Sequence, residues 1–215
     1  MDRDFDARIE NSRILGFLFD ALAAPAEQWL NHQPFFDLPN GPIQVGGQIE
    51  DFYLRYLESP FRSQVGGSRF NNLLWLNLIA HAMQPSIIVD SGTFLGASAW
   101  ALSLGAPQCP IYSFDVDLSH LKLRALAVKY VQSDWMRVDF SSYDPSRGLC
   151  YFDDHIDQAK RLIEAGSRHI PTAIFDDDFP ITAFAPMAHE GQALPKIEFV
   201  LDDRLREGAG DQMAR

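Results

Sequence analysis

The chain has 215 residues, 47% hydrophobic and 22% charged, a composition typical of a folded globular protein that is long enough to bury a core. Its formal net charge of −11 argues against nonspecific binding to a nucleic-acid backbone, because such binding needs a positive face. No apolar run approaches the ~20 residues of a membrane-spanning helix, and the acidic start is unlike a secretory signal, so we expect a cytoplasmic protein whose two cysteines are reduced.

The first 84 residues carry helical patterns separated by turn-forming residues. Apolar residues recur at helical spacing over 5–30, and 71–83 predicts another helix. Between them, the Pro- and Gly-rich segment 31–47 predicts a loop, followed by an amphipathic stretch at 52–57. We therefore interpret 1–84 as a helical extension, and two roles stay open for it: a lid over a site, or the face of a dimer.

From residue 85 onward, short apolar runs alternate with helical patterns. The predicted strands are 87–90, 111–117, 129–134, 149–154 and 172–178, and the predicted helices are 96–104, 119–127 and 156–166. This alternation is typical of βαβ units with a parallel sheet. Residues 85–215 are therefore predicted to form an α/β, Rossmann-like, doubly wound core, whose tail at 181–215 allows one further strand.

Every predicted strand ends in acid. The acids are Asp90, Asp115 with Asp117, Asp134, Asp153 with Asp154, and Asp176 with Asp177 and Asp178. One such acid means little, since surface loops favour Asp. Five consecutive strands ending this way place many negative charges along one sheet edge, where the ligand crevice of such sheets lies. Repulsion between these carboxylates costs energy unless cations or hydroxyl donors stabilise them, so we expect a ligand.

The first strand runs into a glycine turn, Asp90-Ser91-Gly92-Thr93-Phe94-Leu95-Gly96. Gly92 permits a tight turn, and Gly96 allows close approach of the following helix or of a ligand. The turn is not the dinucleotide fingerprint G-x-G-x-x-G, which disfavours a nicotinamide-dependent reductase, and it lacks the Lys of a phosphate-binding loop. About 25 residues further on, Asp115 and Asp117 occupy the place of a ribose-binding carboxylate, although Asp117 is also a candidate helix N-cap.

These segments together resemble the class I S-adenosylmethionine (SAM)-dependent methyltransferases. The likeness is nearest the group of sugar and macrolide O-methyltransferases and cephalosporin hydroxylase-like proteins. The segments that carry it are IIVDSGTFLGASAWALS at 87–103, IYSFDVD at 111–117, YVQSDW at 130–135, YFDDHIDQAKRL at 151–162 and AIFDDD at 173–178. The resemblance implies strand order 3-2-1-4-5. Because about 35 residues follow Asp178, we expect the C-terminal strands of that fold to be reduced here or to be supplied by a neighbouring subunit.

The resemblance also implies a cofactor, a metal and the residues that hold them. The implied SAM contacts are Asp90, Gly92, Thr93, Gly96, Ser98, Asp115, Asp117, Asp134 and Trp135, and the implied Mg²⁺ ligands are Asp153, Asp176 and Asp177. Carboxylate oxygens suit a hard cation, which would lower the pKa of a substrate hydroxyl. Asp153 and His155 are the candidate catalytic residues, while a helix-start role for His155 stays open.

The expected reaction is O-methylation of a hydroxyl on a small molecule such as a sugar or polyketide, by a homodimer that binds neither nucleic acid nor membrane. The alternative is a non-methylating cofactor-binding protein or pseudoenzyme of the same fold, which the short segment after Asp178 motivates.

Overall fold

The computed structural model describes residues 3–33, 41–64 and 66–176, with side chains from Leu15 onward. It divides into two compact units. The first runs to Gln84 and includes Trp100–Pro107, and the second comprises Pro85–Ala99 and the chain from Gln108.

The first unit is helical. It contains α1 (Arg3–Asn31), α2 (Gly46–Glu58) and α3 (Phe70–Met83), which confirms the helices predicted over 5–30 and 71–83. The predicted amphipathic stretch 52–57 lies inside α2, where the buried ring of Phe52 is 5.4 Å from the ring of Trp100. The predicted roles of this region as a lid or a dimer face stay predictions.

The second unit is built on a five-stranded parallel sheet. Its strands are β1 (Ile87–Ser91), β2 (Ile111–Asp115), β3 (Val128–Gln132), β4 (Gly148–Phe152) and β5 (Thr172–Phe175), in the order β3-β2-β1-β4-β5. Helix α4 (Ala97–Gly105) follows β1 and helix α5 (Gln158–Ser167) precedes β5. This order confirms the predicted Rossmann-like sheet. It places a topological switch point between β1 and β4, because the chain winds away from β1 in opposite directions.

Alternate residues of each strand point to opposite faces of this sheet. On one face an apolar cluster gathers strand residues with parts of the connecting segments: Ile87, Val89, Phe114, Cys150, Phe152, Trp135, Phe140, Ala165 and Ile170. Residues of the other parity include Asp90 on β1, whose register partners are Ser113 on β2 and Tyr151 on β4. The sheet therefore has one apolar face and one face with a buried acid in its central strand.

The helix predicted over 119–127 is wrong, because residues 116–127 form turns and irregular chain. Tertiary hydrogen bonds take the place of helical ones. The backbone N–H of Lys122 donates to the carbonyl of Leu95 at 3.0 Å, and the N–H of Ala125 donates to the hydroxyl of Tyr130 at 3.1 Å. This connection is thereby tied to the glycine turn instead of coiling on itself.

Strands β2 to β5 end earlier than predicted, at Asp115, Gln132, Phe152 and Phe175, so several of the acids begin the loops that follow them. The further strand that the tail at 181–215 allows lies outside the described residues. None of the described helices combines the length and apolar character that crossing a bilayer requires.

Candidate active site at the carboxyl edge of the sheet

The glycine turn after β1 packs against the chain that follows β4. Gly92 has a φ of +106°, and a Cβ built there would lie 2.3 Å from the carbonyl oxygen of Asp153. Gly96 has a φ of +86°, and its Cβ would lie 2.7 Å from the carbonyl oxygen of Leu123. Both positions therefore need glycine for conformation and for space, as the sequence predicted.

Asp90 lies under this turn, fully buried at 0% exposure. Its Oδ2 accepts a hydrogen bond from the hydroxyl of Ser113, which itself lies 2.6 Å from the hydroxyl of Thr93. Burial raises the pKa of Asp90 to about 7, and the hydroxyls of Ser113 and Ser98 oppose that rise only in part. Its other oxygen, Oδ1, is buried and has no hydrogen-bond partner within the part of the chain that the structure describes.

Asp115 ends β2 and supports the glycine turn. Its Oδ2 accepts the backbone N–H of Phe94 at 2.8 Å, and its Oδ1 accepts that of Asp117 at 3.0 Å. Phe94 has a φ of +41°, which is unusual for a bulky residue, and its ring is 40% exposed. The turn is thus held in a strained conformation next to the predicted ribose-binding acid.

Asp117 is exposed and closes a turn rather than capping a helix. Its carboxylate accepts the backbone N–H of Ser119 at 2.8 Å and the Ser119 hydroxyl at 2.9 Å, and these bonds lower its pKa. Asp139 makes the same two contacts with Ser141, at 2.8 and 2.9 Å. The second turn is therefore a natural control for the first.

Asp134 and Trp135 follow β3, but only Asp134 is partly exposed. Trp135 is 0% exposed in the apolar cluster, and its ring lies under the guanidinium of Arg168, 5.2 Å from the ring centroid. Its ring therefore packs as core, contrary to the expectation of a ring beside the ligand. The carboxylate of Asp134 accepts the N–H of Met136 at 2.8 Å. Burial would raise the pKa of Asp134, but this bond and one from Arg161 outweigh burial and lower it.

Arg161, on α5, was missed by sequence reasoning. It is 1% exposed and contacts three carboxylates: Asp134, Asp154 and Glu164. Burial lowers its pKa, but these partners outweigh burial and raise the pKa above the ordinary value. In the sequence the only available signal was the helical spacing of Arg161 with Glu164, which is common on solvated surfaces.

Asp154, the second acid after β4, binds Arg161 and Ser91. Its Oδ2 accepts bonds from the Ser91 hydroxyl at 2.6 Å and from the guanidinium of Arg161 at 2.7 and 2.9 Å. It therefore links the end of β1, the end of β4 and helix α5.

The candidate metal ligands Asp153 and Asp176 follow neighbouring strands. Phe152 is paired with Phe175 in the β4–β5 register, so the two acids occupy the next positions along each strand. The N–H of Asp153 donates to Ser91 O at 2.8 Å and the N–H of Asp176 donates to Phe152 O at 2.9 Å. The third candidate, Asp177, lies outside the described residues, and those that are described hold no cluster of three or more metal-binding side chains.

His155 directly follows Asp153 and Asp154 in the sequence. It is exposed and adopts a left-handed backbone conformation, with a φ of +54°. Helix α5 begins only at Gln158 with Asp157 as its N-cap, so His155 does not start the helix. Strained non-glycine residues are enriched at functional sites, which keeps the catalytic prediction for His155 open.

No protein-family model matches the chain, and no curated protein does. Solved structures of CmcI do match. The match to the apo structure covers 62% of this chain and 68% of the CmcI chain, at 19% sequence identity and a TM-score of 0.41. The chain is structurally similar to CmcI. The Mg-SAM structure (18% identical, 57% and 64% covered, TM-score 0.36) and the SAH structure (15% identical, 64% and 78% covered, TM-score 0.39) match as well. The strand order β3-β2-β1-β4-β5 is itself that of a Rossmann-like sheet.

Proposed function

We propose that the protein is a SAM-dependent methyltransferase that methylates a hydroxyl group of a small molecule, such as a sugar or polyketide, with the help of a divalent cation. The observation that carries this proposal is the gathering of acids at one edge of the sheet. Asp90 is the last residue but one of β1, Asp115 ends β2, and Asp153 and Asp176 follow β4 and β5. These strands are neighbours in the order β2-β1-β4-β5, on both sides of the switch point.

The residues at this edge fit the cofactor. A carboxylate has about four lone-pair sites, so Asp115 can accept bonds from ribose hydroxyls in addition to its two backbone donors. The orphaned Oδ1 of Asp90 is a buried acceptor that a donor from the ligand would satisfy. Because SAM carries an ammonium and a sulfonium, its positive charges would also partly neutralise the negative charge of this edge.

The edge also fits Mg²⁺. Adjacent strands lie about 4.8 Å apart, so acids at equivalent positions of β4 and β5 can share one cation. Mg²⁺ usually takes one or two carboxylates and fills its remaining positions with water or substrate oxygens. Asp153 and Asp176 would be these two ligands, with Asp177 as a third.

Bound SAM would supply an electrophilic methyl group, and the chain's own residues would supply position and proton acceptance. Holding two reacting groups together accounts for a large part of such catalysis. The glycine turn, braced by Asp115 and packed against Asp153, fixes one wall of the site. His155 is exposed beside Asp154, where its imidazole would accept the proton of the substrate hydroxyl.

Titration calorimetry with SAM and with S-adenosylhomocysteine (SAH) tests the proposal. We expect both to bind the wild-type protein, and absence of binding to folded protein would contradict the proposal. D117N and D139N form a matched pair, because each removes the charge and one acceptor oxygen from the same kind of turn, while only Asp117 lies at the sheet edge. If Asp117 binds the ribose, D117N should weaken SAH binding about tenfold or more and D139N should not. If Asp115 binds it, D115N alone should.

Binding does not establish methylation, so a turnover assay is needed as well. We expect methyl transfer to members of a panel of vicinal diols in the presence of Mg²⁺, and loss of transfer when EDTA removes the cation. Cofactor binding without any turnover would instead favour the non-methylating alternative.

A further inference from the structure

Arg161 lies at the switch point of the sheet. Its partner Asp154 comes two residues after β4, and the Ser91 hydroxyl at the end of β1 donates to the same Asp154 oxygen at 2.6 Å. β1 and β4 are the two strands that flank the switch point. A buried cation is thus placed between the strand ends where ligands of such sheets bind.

The guanidinium also reaches the chain that follows β3. One nitrogen, Nη2, lies 2.9 Å from Asp134 Oδ2 and 2.7 Å from Asp154 Oδ2. In the sheet, β3 is separated from β4 by β2 and β1. The Arg161 side chain therefore joins two parts of the edge that the sheet itself keeps apart.

Glu164 binds the same guanidinium in a different way. It accepts from Nη1 at 2.6 Å and lies three residues from Arg161 on α5. It does not share the nitrogen that joins Asp134 to Asp154. Loss of its charge would weaken one contact of Arg161 without breaking the bridge across the edge.

We propose that Arg161 is a positioning residue: held by Asp154 at the end of β4, it fixes Asp134 and the short 3-10 helix Trp135–Arg137 at the crevice. The inference deepens the proposed function and rests on it for the ligand involved. Asp134 in turn caps that short helix through the N–H of Met136. A change at Asp154 should accordingly be felt at residues 134–137, which lie in another connection of the sheet.

Amide hydrogen exchange tests the positioning without any ligand. D154N keeps the shape of the side chain but removes the charge that anchors Arg161. We expect the amides of Met136 and Arg137 to exchange about tenfold faster in D154N, because their local opening becomes easier, while β1 amides keep their wild-type rates. E164Q is the matched control and should leave Met136 and Arg137 unchanged.

SAH affinity provides a second readout that a merely structural role would not produce. We expect D154N and D134N each to weaken SAH binding about tenfold, as losses of supporting contacts around a site commonly do. If Asp154 acts through Arg161 on Asp134, the double variant should bind SAH no more weakly than D134N alone. E164Q should bind within about twofold of the wild type.

The outcomes separate the inference from the proposed function. Exchange rates in D154N that match those in E164Q would overturn the inference, and so would D154N and D134N losses that multiply in the double variant. If the wild-type protein binds no SAH, the proposed function fails. The exchange experiment alone then decides whether Arg161 positions Asp134.

Discussion

Asp90 should make the stability of this protein depend on pH in an unusual direction. The carboxyl group is fully buried and its pKa is raised from 3.8 to about 7 in the folded protein. Between these two values the folded state binds a proton that the unfolded state has released. Stability from this group is therefore greatest below about pH 4 and is lost as the pH rises toward 7.

The size of the effect follows from the two pKa values. A pKa of about 7 against 3.8 corresponds to about 4 kcal/mol of stability lost across this interval, or about 1.4 kcal/mol for each pH unit within it. Because the side chain is fully buried, solvent screening removes little of this figure. Asn cannot ionise, so D90N should show no such loss.

The assay is urea unfolding followed by tryptophan fluorescence, from about pH 4.5 to about pH 8, for the wild type and D90N. The buried Trp135 supplies a signal that changes when the core opens. We expect the wild type to lose free energy of unfolding relative to D90N as the pH rises to about 7, and the difference then to stay constant. D139N is the control. Hydrogen bonds from Ser141 lower the pKa of wild-type Asp139, so this carboxyl titrates below the pH range of the assay. Parallel curves for the wild type and D90N would refute the reasoning.

Four further substitutions test the packing, the Arg161 network and the metal site. G92V should lower the free energy of unfolding by several kcal/mol, because its Cβ would meet the Asp153 carbonyl oxygen at 2.3 Å in a backbone conformation that disfavours side chains. G166A should raise the free energy of unfolding by about 0.5–1 kcal/mol, because a Cβ at this helical position meets no atom within 4 Å. Urea unfolding measures both. R161M should cost about 3–5 kcal/mol in the same assay, because it leaves three carboxylates whose side chains are only 12–30% exposed without their cation; a change below about 1 kcal/mol would contradict that. D176N should weaken Mg²⁺ binding measured by calorimetry while leaving the melting temperature without metal nearly unchanged, and a collapse of that temperature would make Asp176 structural.

The sheet could be predicted because each strand has a recognisable local sequence pattern. Runs such as Ile87-Ile88-Val89 are continuous apolar segments bounded by turn residues, and their burial on both faces is what such runs indicate. The glycine turn was also predictable, since Gly92 and Gly96 are needed where backbone from other segments comes within contact distance. The strand order came from the resemblance and not from composition.

The connection at 116–127 was not predictable from its own pattern. Its helical spacing of apolar residues loses to contacts outside the segment, namely with Leu95 in the glycine turn and with the Tyr130 hydroxyl on the next strand. Local propensity is a weak prior when tertiary hydrogen bonds compete with it. The same reasoning applies to Trp135, whose position beside an acid indicated a ligand contact but whose ring the core encloses.

The Arg161 network shows a second kind of limit. Asp134 is 27 residues from Arg161 in sequence, whereas Asp154 is 7 residues away. Only the folded sheet brings the chain after β3 and the chain after β4 to one guanidinium. Sequence patterns register acids at strand ends, but they do not show which of them a buried cation already binds. The structure separates Asp154, which Arg161 holds, from the candidate metal ligand Asp153 beside it.

A crystal structure of the protein soaked with SAH and Mg²⁺ would test the central claim most directly. We predict nucleoside density outside the carboxyl ends of β1 and β2, with the ribose within hydrogen-bond distance of Asp115 or Asp117, and a cation touching Asp153 and Asp176. Density for the ligand elsewhere, or a crevice filled by packed side chains of the chain itself, would contradict it.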